Sequence, residues 1–173
     1  METCDNHTAE TNPLESYHPV KLGKAKRPLC IAMVAACPFP SVQGSQILIQ
    51  ELITGLCGRG HQVHLVTYPF GATSTWRRPQ NCRIHRAKIR TSYPADHSGP
   101  HIYKPFMDMA LARLLKKIIR QEKVDLVHAH SHEGLIAALW VRRKVPTPIL
   151  YHSHTLLGEE LPTYFRTRSL RIL

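Results

Sequence analysis

The chain has 173 residues, 43% of them hydrophobic and 7% aromatic, which places it among globular chains long enough for one domain with a real core. Its formal net charge of +11 and isoelectric point near 9.8 favour anionic partners: phosphate-bearing metabolites, acidic lipid surfaces or nucleic acid. No apolar run approaches the roughly 20 residues of a membrane span, and residues 1–17 are polar and acidic, which excludes a secretory signal. The expected location is cytoplasmic, with peripheral contact at the inner membrane surface left open. Cys4, Cys30, Cys37, Cys57 and Cys82 are odd in number and form no C-x-x-C pair, so reduced thiols are expected.

Residues 1–27 carry Asn, Thr, Ser, His and Pro without periodicity and are read as a disordered leader to a domain spanning 28–173. The leader ends in Lys21, Lys24, Lys26 and Arg27, where no aromatic residue interleaves, so a solvated flank is preferred to a nucleic-acid arm. Leu29 to Ala36 reads as a buried strand. Leu48, Ile49, Leu52, Ile53 and Leu56 then recur at helical spacing in a helix over 45–59, closed by Arg59-Gly60. Gln62 to Thr67 is a second strand and Cys82 to Ala87 a shorter third, separated by a loop at 68–81 with Pro69, Gly71 and Pro79.

A turn-rich basic stretch from Lys88 to Tyr103 precedes a helix over 105–121, whose apolar face (Phe106, Met109, Ala110, Leu114, Ile118, Ile119) opposes Arg113, Lys116, Lys117 and Arg120. Such a helix suits either packing on a sheet or lying on an anionic membrane. Val124 to His130, Gly134 to Lys144 and Thr147 to His152 read as strand, helix and strand. Strand and helix alternate throughout. The expected fold is therefore α/β, a doubly wound parallel sheet of Rossmann type, with ligands beyond the carboxyl ends of its strands.

Two features stand at those ends. Pro40-Ser41-Val42-Gln43-Gly44-Ser45 turns from the first strand into the first helix. Free helical N–H groups and a glycine there suit a phosphate, although ordinary turn chemistry explains the same residues. His128, His130 and His132 alternate at one strand end, and His152 and His154 at another. His130 and His154 can face the turn at Gly44, where imidazole could bond a sugar hydroxyl or phosphate, accept a proton and change charge near neutral pH. His128 and His152 are read as structural caps. Paired histidines also hold zinc or iron in some hydrolases, but only Glu133, Glu159 and Glu160 lie near as acids, so no metal is expected.

The order of these pieces carries a resemblance. Pro40-x-x-x-Gly44-Ser45 opening a helix, Arg59-Gly60-His61-Gln62-Val63, Val124-Asp125-Leu126-Val127-His128-Ala129-His130 and Tyr151-His152-Ser153-His154-Thr155-Leu156 resemble the amino-terminal half of retaining GT-B glycosyltransferases of family 4. The likeness runs from about Leu29 to Phe165. It implies a nucleoside-diphosphate sugar donor, a hydroxyl acceptor on a glycan, lipid or small molecule, and no cofactor. By position it implies that Gly44 and Ser45 seat the donor phosphate or sugar, with Ser45 standing where a second glycine is usual. It makes His130 the catalytic-crevice histidine and His154 a second substrate contact.

In the resembled family a second Rossmann-like domain carries the nucleotide pocket, a basic pair on the diphosphate and a spaced pair of glutamates. None is recognisable in this sequence. The chain is accordingly expected to be a truncated acceptor-side domain, inactive alone, whose carboxyl-terminal half is separately encoded or missing. Whether it is itself an enzyme stays open. The rival reading is a non-catalytic module whose sheet edge and apolar tail (Leu170, Ile172, Leu173) meet a partner chain; a nucleic-acid role has no reading motif to support it.

Overall fold

A computed structural model describes residues 27–71, 76–89 and 103–154. The leader expected at 1–26, most of the basic stretch between 88 and 103, and the tail from 155 onward lie outside the described residues. The elements run β1 (Cys30–Ala35), α1 (Gly44–Gly58), β2 (Gln62–Thr67), β3 (Cys82–Arg86), α2 (Lys104–Gln121), β4 (Leu126–His130), α3 (Ser131–Arg142) and β5 (Ile149–His152). All five strands pair in parallel in the order β3-β2-β1-β4-β5. This is the doubly wound Rossmann-like sheet expected from the sequence.

Alternation along β1 assigns the two faces. Met33 and Ala35 pack with Ile49, Ile53 and Cys57 of α1, while Ala32 and Val34 pack with α2 and α3. The helix α2 seats Met107, Leu111, Leu115 and Ile118 in that second core, all nearly or wholly buried. Each such side chain contributes about 1.5–3 kcal/mol by burial. The buried face is rotated from the expected one: Met107, Leu111 and Leu115 turn inward with Ile118 against the sheet and α3, while Phe106 and Met109 of the expected stripe are exposed. Gly60, at φ 86°, ends α1 in the left-handed conformation that glycine adopts freely.

The helix α3 differs from its expected bounds. It starts at Ser131 rather than Gly134, so His132 lies in its first turn and not on the strand. Ser131 holds φ 59°, and the N-cap residue His130 makes no side-chain cap bond. What fixes the start is close packing: a Cβ on Gly134 would sit 2.9 Å from the Val34 carbonyl oxygen.

Candidate functional site

In the order β3-β2-β1-β4-β5 the chain reverses direction of growth between β1 and β4, and the crevice of a doubly wound sheet opens at the carboxyl ends of those two strands. The segment leaving β1 leads to Gly44, and the strand end at β4 is His130. Register places Ala35 beside His130 and His130 beside His152. Partners in parallel register share a face, so His128, His130 and His152 project on the side where Met33 and Ala35 meet α1.

Four imidazoles gather there. His130 Nδ1 lies 3.0 Å from His154 Nε2, one donating and the other accepting. The His128 and His130 ring centroids are 4.3 Å apart, His130 and His152 5.2 Å, and His152 and His154 4.8 Å in a near-parallel stack. His128 and His152, read from the sequence as structural caps, stand in the same stack as His130 and His154. His132 points elsewhere, 3.5 Å from the Glu133 carboxylate.

Burial sets the charge of this cluster. His130 is wholly buried, and burial, with His128, His154 and His152 beside it, pushes its pKa down to about 2. His128 is brought down to about 4 by burial, then by His152 and His154; His154 is lowered by burial and by His152. His130 therefore stays neutral at physiological pH, and the expectation that it changes charge near neutrality is overturned by desolvation. A neutral imidazole keeps one donor and one acceptor. With Nδ1 engaged by His154, Nε2 of His130 is buried without a hydrogen-bond partner among the described residues.

Gly44 is the first residue of α1 and Ser45 the second, both exposed. The N-cap Gln43 makes no side-chain cap bond, which leaves first-turn N–H groups unsatisfied by it. Ser45 Oγ donates to Gln46 Oε1 at 2.8 Å, and Gln46 Nε2 donates to Gln43 Oε1 at 3.1 Å. Gly44 has no positive φ, and a Cβ there would meet nothing within 4 Å. Packing among the described residues does not demand glycine at this position. The turn itself is braced: Phe39 N–H donates to the Phe70 carbonyl at 3.1 Å, and a Cβ on Gly71 would stand 2.2 Å from the Phe39 oxygen.

On the other face of the same rim lies a second polar set that sequence reasoning missed. Tyr68 donates to Asp108 Oδ1 at 2.5 Å, and Lys104 pairs with Glu133. Burial raises the Asp108 carboxyl, partly offset by the Tyr68 hydroxyl and Lys104. These residues come from the position just after β2, from α2 and from α3, and no local spacing links them. Burial pushes the thiol of nearby Cys37 up to about 12, which keeps it protonated.

Comparisons with known proteins fit this geometry. N-acetyl-alpha-D-glucosaminyl L-malate synthase of Bacillus anthracis is 29% identical over 94 residues, 53% of this chain and 22% of that protein. Sucrose-phosphate synthase from Thermosynechococcus elongatus superposes with a TM-score of 0.60 at 15% identity, over 74% of this chain and 33% of that one. The C-terminal domain of a hydrogenase from Pyrococcus furiosus gives 0.51 at 11% identity, over 78% of this chain and all of that domain. Likeness at such identity speaks for fold alone, and the hydrogenase domain illustrates that this fold serves more than one chemistry. The chain spans about a third or less of the glycosyltransferase-type relatives it matches. Family membership comes from the match to the glycosyl transferase 4-like domain, which covers residues 43–172 and takes in both α1 and the histidine cluster. The chain belongs to that glycosyltransferase family and has the fold of a GT-B amino-terminal domain.

Proposed function

We propose that this chain is the acceptor-side domain of a retaining glycosyltransferase, which moves a sugar from a nucleoside-diphosphate donor to a hydroxyl acceptor. The observation that carries the reading is the buried Nε2 of His130, unpaired among the described residues, at the switch point of a glycosyl transferase 4-like domain. A buried polar atom without a partner costs about 1–3 kcal/mol, and a sugar hydroxyl reaching Nε2 would recover that cost. In this role His130 orients the sugar as a neutral hydrogen-bonding group. His154 holds the His130 tautomer and lines the crevice. Gly44 and Ser45 offer N–H groups and open space to the diphosphate. The leaving diphosphate needs further positive charge as the glycosidic bond breaks, so transfer requires a nucleotide-binding second domain, and the chain alone does not turn over.

The acceptor is presented at an anionic membrane surface, and the charged side of α2 supplies the attraction. A second reading, an interaction module that pairs with another chain, draws on exposed Leu150 and Tyr151 of β5. Calorimetric titration with UDP- and GDP-sugars, alone and with a candidate carboxyl-terminal half, separates the two. The transferase reading expects saturable heat with the reconstituted pair and loss of transfer in His130→Ala. A folded chain that gives no heat in either setting supports the interaction module instead.

A further inference from the structure

We infer that His128, His130 and His152 form a three-imidazole site for a zinc-class transition-metal ion, with His154 as the outer partner of His130. One nitrogen from each of the three lies within 4.8 Å of the other two. Imidazole nitrogens around a tetrahedral zinc stand about 2.0–2.1 Å from the metal, so small rotations of the rings close the set. The three rings come from two adjacent strands held in register, His130 opposite His152, so the frame that brings them together is the sheet itself.

The pairing within the cluster points the same way. A metal-bound histidine ordinarily donates its other ring N–H to a neighbour, which fixes the tautomer. If His130 Nδ1–H donates to His154 Nε2, the remaining Nε2 of His130 is a bare lone pair, buried and without a partner among the described residues. A metal cation can satisfy that lone pair, as a hydrogen-bond donor can. The donor set is nitrogen throughout, with no carboxylate among the three, which suits zinc, copper or nickel and not magnesium or calcium, whose ligands are oxygen. Three histidines leave a fourth position open to water or to a ligand oxygen. The inference departs from the sequence expectation of no metal, which rested on the want of carboxylates or further histidines converging from other strand ends. The register instead supplies a third imidazole.

The metal and the acceptor hydroxyl would address the same Nε2, so the ion excludes the sugar contact; this exclusion rests on the acceptor reading given above. The binding claim itself does not. Titrating the full chain with Zn2+ by calorimetry, and with Co2+ by visible absorption, tests it without any turnover. One equivalent is expected to bind, with ligand-field bands of a nitrogen-rich tetrahedral site. His152→Ala, at a half-buried position whose loss spares the core, is expected to weaken binding at least about tenfold. His85→Ala, in the separate His64–His85 pair, is expected to leave it unchanged.

The inference is overturned if the folded chain takes up no ion, or if His152→Ala and His130→Ala bind as tightly as the unaltered chain. Equal weakening by His85→Ala, which would mean scattered surface binding, overturns it too. Sugar binding without metal binding would leave the transferase reading standing and remove this one. Metal binding without sugar binding would do the reverse.

Discussion

At the scale of single residues, the decisive term is desolvation of imidazole. Burial brings His128 down to about 4 and His130 to about 2 in the folded chain, against the ordinary imidazole value near 6.5. The unfolded chain therefore binds protons that the folded chain refuses, so stability is full above pH 6.5 and falls as pH drops below it, for His128 down to about pH 4. Each group loses up to about 1.4 kcal/mol per pH unit in that window. Thermal melts between neutral and mildly acidic pH should show Tm falling steeply below pH 6.5, and His130→Asn should flatten the slope. A slope the variant leaves unchanged would mean that other groups carry the acid sensitivity. Glycine positions supply a second residue-scale contrast. Gly44→Ala meets no atom within 4 Å and should leave stability unchanged or raise it by up to about 1 kcal/mol, since alanine is the better helix former. In a reconstituted enzyme the same methyl group should weaken donor binding if the diphosphate sits against that backbone. Gly71→Ala carries a Cβ 2.2 Å from the Phe39 oxygen and should lower Tm clearly.

At the scale of elements, hydrophobic period and turn chemistry made most of the fold legible before any coordinates. The strand at Gln62–Thr67 falls where Arg59-Gly60 and a run of β-branched residues place it, and α2 begins beside Pro105 as its first-turn proline indicates. The start of α3 was not legible because no cap residue marks it. Ser131 takes φ 59° so that Gly134 can approach Val34, and that requirement belongs to β1, a hundred residues earlier by rough order. Histidine stacking was hidden for the same reason. Spacing shows that His128 and His130 share a face, but only the pairing of His130 with His152 puts both sets on one side. The strained turn makes a prediction: Ser131→Gly should stabilise the chain by about 0.5–1 kcal/mol, because glycine adopts the left-handed conformation without the side-chain clash. Gly134→Ala should do the opposite, with chemical denaturation reading both. If Ser131→Gly destabilises, the conformation at that turn is held by something other than the fit of α3 on β1.

At the scale of the whole molecule, the distribution of a net charge of +11 narrows how this chain can meet a membrane. An amphipathic helix that inserts into a bilayer needs its apolar face free. The core takes that face of α2 through Met107, Leu111, Leu115 and Ile118, and the large apolar side chains the helix exposes are Phe106 and Met109 near its start. Packing thus takes that face out of reach of a bilayer, and the membrane attraction proposed above would be electrostatic. Arg113, Lys117 and Arg120 are exposed on α2, and Lys116 is held below its ordinary pKa by burial and then by Arg120 and Lys144, which brings the end of α3 into the same field. A basic side chain near an anionic surface contributes about 1 kcal/mol, so reversing three of them should weaken binding by at least about a hundredfold. Co-sedimentation with vesicles containing phosphatidylserine should therefore fall sharply in Lys116→Glu, Lys117→Glu, Arg120→Glu combined, and should fall for the unaltered chain as salt rises, because the contacts are exposed and screened. Binding that survives both the reversal and high salt, or that is as strong to uncharged vesicles, would assign the attachment to Phe106 and Met109 and make the charge of this face a matter of solubility alone.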